Sequence, residues 1–108
     1  MTAFLIAEVK VTDDAWVQDY AAKVYDIAAK HGGRYLSRSG NFETLEGSAT
    51  DETRIALIQF PDCASAHAFA NEPEYAPFGK ARQDGSVRHF QAIDDSNIAG
   101  AIPSLSKP

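Results

Sequence analysis

Cysteine, clustered positive charge and long apolar runs are all scarce in this chain of 108 residues, and each shortage excludes a class of protein. Cys63 is the only cysteine, so the chain can form neither an intrachain disulfide nor a zinc site built from several thiolates. Its ten lysines and arginines are scattered among 15 acidic residues, and no basic run could follow a phosphate backbone. We therefore expect no nucleic-acid partner.

The apolar runs are all too short to cross a membrane. The N-terminal segment has no basic leader, and Glu8 and Lys10 interrupt its apolar residues, which is not typical of a signal peptide. The sequence thus predicts a protein with no membrane partner and a cytoplasmic location.

Motifs for metals and nucleotides are missing as well. The histidines, His31, His67 and His89, do not recur at a spacing typical of metal ligands. The pair Gly32-Gly33 follows a predicted helix, where carbonyl groups point outward, whereas a phosphate loop needs glycines before a helix, where amide hydrogens meet the anion. We expect neither a metal nor a cofactor.

What the sequence does contain is a regular succession of strand and helix patterns. An amphipathic helix begins at a cap provided by Thr12 or Asp13 and ends at the glycine pair. Asp62 is a suitable cap for a second helix, which Pro73 interrupts and which resumes up to about Gln83. The β-rich segments span residues 3–11, 34–46, 53–61 and 86–94.

The order β-α-β-β-α-β predicts an α+β fold, a ferredoxin-like sandwich whose four antiparallel strands carry helices on one face. In the first strand Leu5, Ala7, Val9 and Val11 form an apolar face that should turn toward a core. The other sheet face stays open, and its apolar groups are too many to leave wet in a monomer. We therefore expect a homodimer that packs sheet to sheet.

The length favours one domain, which we place at residues 1–95, followed by a C-terminal tail at residues 96–108. The tail has no periodicity, but it carries three large apolar residues, Ile98, Ile102 and Leu105. Their spacing predicts a segment that packs along a groove.

Several short motifs follow one another along the chain. They lie at Phe4 to Asp13, Gly32 to Leu36 with Arg38 and Gly40, Leu45 to Gly47, Arg54 to Pro61, and Glu72 to Arg82. Taken in order, they resemble the bacterial domain-of-unknown-function family 1330 over residues 3 to 95. The resemblance implies a dimeric α+β barrel and no established activity. The wider superfamily includes cofactor-independent monooxygenases, small isomerases, dehalogenase-like enzymes and non-catalytic ligand-binding domains.

Three arginines and a tyrosine are the candidate ligand-binding residues. Arg38 and Arg54 lie on neighbouring strand segments, and Arg82 lies on the helical segment that follows Tyr75. A guanidinium group matches a carboxylate well, so these residues predict a pocket for a small anionic ligand. The alternative is that the arginines form structural ion pairs with Glu46, Glu72 or Glu74.

Arg38 is the arginine that we expect to contact the ligand. Regular strand alternation would place it on the same face as Arg34 and Leu36. If Leu36 lies in the core, Arg38 is partly buried and needs a carboxylate from the protein or from a ligand.

Glu8, Glu46 and His67 are the candidates for proton transfer. With them, the sequence suggests a cofactor-independent enzyme that acts on a small carboxylated or enol-type molecule. The alternative is a non-catalytic dimeric module that only binds such a ligand. A proton-transfer group beside Arg38 would distinguish the two.

Overall fold

The computed structural model describes residues 1–96, which form one four-stranded sheet with helices on one face. The strand order is β2-β3-β1-β4, and every neighbouring pair is antiparallel. The predicted ferredoxin-like α+β fold is confirmed, whereas the prediction for the tail lies outside the described residues. The elements are β1 (Ala3–Val11), α1 (Val17–Lys30), β2 (Arg34–Ser39), β3 (Arg54–Phe60), α2 (Cys63–Ala70), α3 (Ala76–Asp84) and β4 (Ser86–Asp94).

Strand β1 lies in the interior of the sheet and turns alternate side chains toward the helices. Ala3, Leu5, Ala7 and Val9 are buried, whereas the residues between them are partly exposed. The apolar face predicted from the alternation is therefore the face that packs against the helices.

Helix α1 has the predicted boundary signals at both ends. The Asp13 carboxylate accepts a hydrogen bond from the Ala15 amide at 3.0 Å and begins a 3-10 turn that leads into the helix. Past its C-terminus, Gly32 adopts a φ of +78°, and the Gly33 amide donates to the Ala28 carbonyl at 2.8 Å. The glycine pair thus ends the helix, as its place in the sequence predicts.

Strand β2 is shorter than the sequence predicts, since it ends at Ser39 and not at residue 46. Among residues 1–96, its only partner strand is β3, and the pairing of Ser39 with Ile55 is the last in the register. The Ser39 hydroxyl accepts a hydrogen bond from the Asn41 amide at 2.8 Å, which turns the chain into a loop over residues 40–53. An edge segment with no neighbouring backbone to pair with does not continue as a strand.

A β-bulge in β2 changes the direction of the arginine on which the sequence analysis concentrated. The register shifts between Tyr35 and Ser37, so Leu36 is the extra residue. Arg38 therefore faces the helix side together with Tyr35, and Leu36 is 39% exposed. The prediction that Arg38 shares a face with Leu36 is wrong, because alternation holds only where a strand is regular.

The core lies between the helices and the covered face of the sheet. Val24 of α1, Phe60 of β3 and Phe69 of α2 are almost fully buried. The Phe69 ring packs 4.7 Å from the ring of Tyr75, measured between centroids. Burial of these side chains is the main term that holds helices and sheet together.

The other face of the sheet has no helix over it within residues 1–96. Val87 and Ile93 of β4 are 60% and 53% exposed on this face. They are joined there by four partly exposed apolar residues of β1 and β3, which are Phe4, Ile6, Ile55 and Leu57.

Candidate functional site

A cavity of about 240 Å³ lies between α1 and the covered face of the sheet. The strand register explains why space remains there. Arg38 pairs with Ala56, Ala56 pairs with Ala7, and Ala7 pairs with Phe90. These four residues form one row across all four strands, and the two central positions carry only methyl groups. The floor of the cavity is therefore this pair of alanines.

The wall opposite the floor comes from the first turns of α1 and the turn before it. Trp16, Val17, Tyr20 and Ala21 line the cavity from this side. The Trp16 indole Nε1 donates to the Gly85 carbonyl at 3.1 Å, which holds the ring against the turn between α3 and β4. The wall is thus mostly apolar and aromatic.

Arg82 lies at the β4 end of the cavity and is the most buried of its charged groups. Its side chain projects from α3, it is only 5% exposed, and its guanidinium carbon lies 3.9 Å from the centroid of the Phe90 ring. Within residues 1–96, its Nε and Nη1 atoms have no hydrogen-bond partner. A buried guanidinium group without a carboxylate is costly, and the cost falls if an anion enters beside it.

Arg38 and Arg54 line the opposite end, and both are exposed. The Arg38 guanidinium lies 5.1 Å from the centroid of the Tyr35 ring. Arg54 donates from Nη1 to the Thr53 carbonyl at 2.8 Å. This end opens to solvent, and we call it the mouth of the cavity.

Gly40 lies at the mouth and leaves room for Arg54. A Cβ at Gly40 would lie 2.9 Å from Nη1 of Arg54 and 2.8 Å from the Thr53 carbonyl oxygen. Glycine is therefore the residue that lets the arginine reach past the end of β2.

Tyr20 lines the cavity, and its hydroxyl group is 2.8 Å from the hydroxyl group of Tyr75. Burial, together with Tyr75, raises the pKa of Tyr20 far above its ordinary value. Burial also raises the pKa of Tyr35 on the sheet side. Both phenols therefore keep their protons at neutral pH, and in the Tyr20–Tyr75 pair either hydroxyl group can be the donor.

In the sequence, the place of Tyr20 on the amphipathic helix predicts core packing, whereas Tyr75 is predicted to bind the ligand. Tyr75 is buried in the core and does not line this cavity, but it holds the Tyr20 hydroxyl group. A signal for Tyr20 existed in the sequence, since it lies four residues after Trp16 on the apolar stripe of α1. The sequence alone does not show which part of that stripe borders the cavity, because this depends on Ala7 and Ala56 on the facing strands.

The three predicted proton carriers do not line the cavity. Glu8 points to the open face of the sheet, where its neighbours in the register are Ile55 and His89. Glu46 is exposed in the loop over residues 40–53. His67 lies on α2 and borders a second cavity, of about 310 Å³, which Arg82 also lines.

The predicted carboxylate partners of the arginines are engaged elsewhere. Glu72 and Glu74 each accept a hydrogen bond from Lys30 at 2.8 Å, and Glu72 also lies 3.7 Å from His31 Nε2. Lys30 lowers the pKa of Glu72. Among the described residues, the cavity is lined by three arginines and by no acidic side chain.

Residues 1–96 contain no group of three or more His, Cys, Asp or Glu side chains placed to hold a metal ion. In the same part of the chain, no helix has the length and apolar character needed to span a membrane.

A family model for a domain of unknown function, DUF1330, matches residues 2–96. The chain belongs to this family. The match covers both ends of the row that forms the cavity floor. A comparison of this DUF1330 protein with curated proteins finds no match.

Solved structures with the same fold include a protein of unknown function from Rhodopseudomonas palustris, with a TM-score of 0.73 and 13% identity over 89% of this chain and 83% of that one. SnoaB, described as a cofactor-independent oxygenase from Streptomyces nogalater, has a TM-score of 0.64 and 12% identity over 89% and 94% of the two chains. A ferredoxin-like protein from Mesorhizobium loti has a TM-score of 0.61 and 13% identity over 89% and 96%. At these identities, the likeness of the DUF1330 protein to all three concerns the fold.

Proposed function

We propose that this DUF1330 protein binds a small organic anion in the cavity between α1 and the sheet. The observation that carries the proposal is Arg82, whose guanidinium group is buried at the end of the cavity with two nitrogens unpartnered among the described residues. A carboxylate or enolate beside it would supply the missing acceptor. The apolar lining suits the carbon skeleton of such a molecule.

The proposal predicts a distinctive effect of Arg82→Met. Removing an unpaired buried charge leaves the melting temperature of the free protein unchanged or higher, whereas removing the anion partner abolishes ligand binding. Isothermal titration with benzoate and differential scanning calorimetry measure the two effects.

Lys80→Met is the matched control, because it removes a positive charge from the exposed side of the same helix, where Lys80 pairs with Asp84. The control variant should bind benzoate like the wild type. A large loss of stability in Arg82→Met with unchanged benzoate binding would contradict the proposed role.

A cofactor-independent enzyme acting on an enol-type molecule is the second candidate. The observation that favours it is Tyr20, whose phenol stays protonated and which lines the same cavity as Arg82. A phenol and a guanidinium group together can stabilise the oxyanion of an enolate. SnoaB, with its cofactor-independent oxygenase activity, shows that the fold of this chain also occurs in an enzyme.

An assay of turnover with an enol substrate distinguishes an enzyme from a protein that only binds the ligand. Phenylpyruvate is a suitable probe, because it carries a carboxylate and enolises. Catalysed tautomerisation, followed by the decay of the enol absorbance, should fall in Tyr20→Phe. Binding of phenylpyruvate without any acceleration over buffer would favour the non-catalytic function.

The proton-transfer roles of Glu8, Glu46 and His67 remain predictions. None of the three lines this cavity, so none of them supplies a base for the enzymatic function there. An enzymatic reaction in the cavity would therefore depend on oxyanion stabilisation by Arg82 and Tyr20.

We also propose that two copies associate through the open faces of their sheets. The apolar residues of that face support this proposal, because a contiguous exposed apolar patch of several strands is unusual in a monomer. The cavity lies on the opposite face of the sheet, so each copy would carry its own.

A further inference from the structure

The cavity has a positive group at each of its two ends. Arg38 begins the row of paired residues at β2, and the guanidinium group of Arg82 lies over Phe90, which ends the same row at β4. The row crosses three strand spacings of about 4.8 Å each, so the backbones of β2 and β4 lie about 14 Å apart. Between them lie only the methyl groups of Ala56 and Ala7.

The two ends differ in their surroundings. At the inner end, Arg82 is buried, and Tyr20 adds a phenol that stays protonated. At the mouth, Arg38 and Arg54 are exposed, and neither has an ion-pair partner among residues 1–96. A ligand with one acidic group would pair with Arg82 at the inner end and would leave Arg38 and Arg54 at the mouth without an anionic partner.

The volume limits the size of the ligand. A cavity of about 150 Å³ is enough for benzene in an engineered protein. The 240 Å³ measured here therefore suits a single ring with one or two substituents. The aromatic side chains around it, among them Trp16, Tyr20 and Phe90, favour a flat ring through edge-to-face and offset contacts.

We propose that the ligand is a single-ring dianion, an aromatic acid with a second acidic group across the ring from the first. This inference rests on the proposed anion-binding function and specifies the class of molecule. One carboxylate lies against Arg82 and Tyr20. The second acidic group lies at the mouth between Arg38 and Arg54. An ionised carboxylate at each end can form an ion pair and two parallel hydrogen bonds with a guanidinium group, whereas a neutral ester accepts a hydrogen bond without forming the ion pair.

The test compares terephthalate with its monomethyl ester on the wild-type protein by isothermal titration. The two molecules share the ring and the first carboxylate, and they differ in the charge at the far end. We expect terephthalate to bind at least about tenfold more tightly, because a hydrogen bond to a charged group contributes more than one to a neutral group. This comparison needs no variant and no change in the protein.

The double variant Arg38→Gln/Arg54→Gln then locates the second group. Both residues are exposed, so the fold should tolerate the change. We expect the variant to bind terephthalate and the monomethyl ester with equal affinity, and the affinity for the ester should match the wild type. Arg88→Gln is the matched control, since it removes an exposed arginine that does not line the cavity, and it should keep the preference for terephthalate.

Equal affinity of the wild type for the diacid and the ester would overturn the two-ended ligand and leave the anion-binding function standing. A preference for terephthalate that persists in the double variant would overturn the role of the mouth arginines. Binding of neither molecule by the folded wild-type protein would overturn the proposed function itself.

Discussion

Arg82 and Tyr20 determine the chemistry of the cavity at the scale of single residues. Arg82 carries a charge that no described side chain neutralises. Burial raises the pKa of Tyr20, so its phenol keeps its proton at neutral pH. Both are held by neighbouring aromatic side chains, Phe90 beneath the guanidinium group and Tyr75 against the phenol. A polar group held in one orientation before the ligand arrives loses little entropy when the ligand binds.

The raised pKa of Tyr20 predicts how stability depends on pH in the alkaline range. A tyrosine whose pKa rises on folding keeps its proton in the folded protein above pH 10.0, where the unfolded chain begins to lose it. Its contribution to stability is therefore complete below that pH and is lost as the pH rises further.

Urea unfolding of the wild type and Tyr20→Phe at pH 8 to 11 measures this effect. The free energy of unfolding of the wild type should fall more steeply above about pH 10 than that of Tyr20→Phe, because the variant has no phenol to titrate at this position. Parallel pH dependences of the two proteins would contradict the buried state of Tyr20.

At the scale of elements, the bulge in β2 and the turn after α1 matter most. The bulge at Leu36 moves Arg38 to the cavity side of the sheet, and the early end of β2 opens the mouth beside Gly40. The turn at Gly32 brings the chain from α1 back into the sheet and packs against Pro61.

Gly32→Ala should destabilise the protein through two separate effects. The backbone at Gly32 has a φ of +78°, which strains an alanine by about 1 kcal/mol. In addition, a Cβ there would lie 2.7 Å from Cγ of Pro61, so the turn must shift.

Gly47→Ala is the matched control for this prediction. Gly47 has a similar φ of +81°, but within residues 1–96, its two chain neighbours aside, no atom lies within 4 Å of the position where its Cβ would be. Chemical denaturation should show a larger loss for Gly32→Ala than for Gly47→Ala. Equal losses would mean that the contact with Pro61 has no part in the effect.

The alanine floor gives a prediction that separates binding from stability. Ala56→Leu places a larger side chain in the cavity between the sheet and α1, and filling a void keeps or raises stability. The same side chain occupies the space of the ligand, so benzoate binding should be lost. Calorimetry and titration on the same sample test both effects, and binding as tight as that of the wild type would exclude this cavity as the site.

At the scale of the whole molecule, the sheet divides two tasks between its faces. The covered face holds the core and the cavity, and the open face carries the apolar residues that we propose as the dimer interface. Since a sheet side chain points to one face only, a change at the open face should leave the cavity intact.

The chain should therefore have a mass of twice 11.7 kDa in light scattering at micromolar concentration. Val87→Lys places a charge on the open face and should shift the mass toward the monomer, because a buried unpaired charge opposes association. Tyr25→Lys is the control, since Tyr25 is 52% exposed on α1, away from that face, and it should stay dimeric. A wild-type protein that is monomeric in this measurement would contradict the proposed interface.

The order of the helices and strands could be predicted from the sequence alone, because each element depends on local chemistry. The alternation in β1, the caps Asp13 and Asp62, and the left-handed Gly32 are readable from neighbouring residues and appear in the structure. The sequence also indicated the three arginines that line the cavity, because each lies beside apolar segments that form strands or helices.

Which of those arginines is buried, and where the cavity lies, depends on how the folded chain packs. The sequence favoured Arg38, which the bulge turns to the cavity side but which stays exposed at the mouth, whereas Arg82 is buried because α3 places it over Phe90 of β4. The cavity exists because Ala7 and Ala56, 49 residues apart in the chain, become partners in the register. Strand pairing and bulges depend on contacts between distant segments, so no local pattern can specify them.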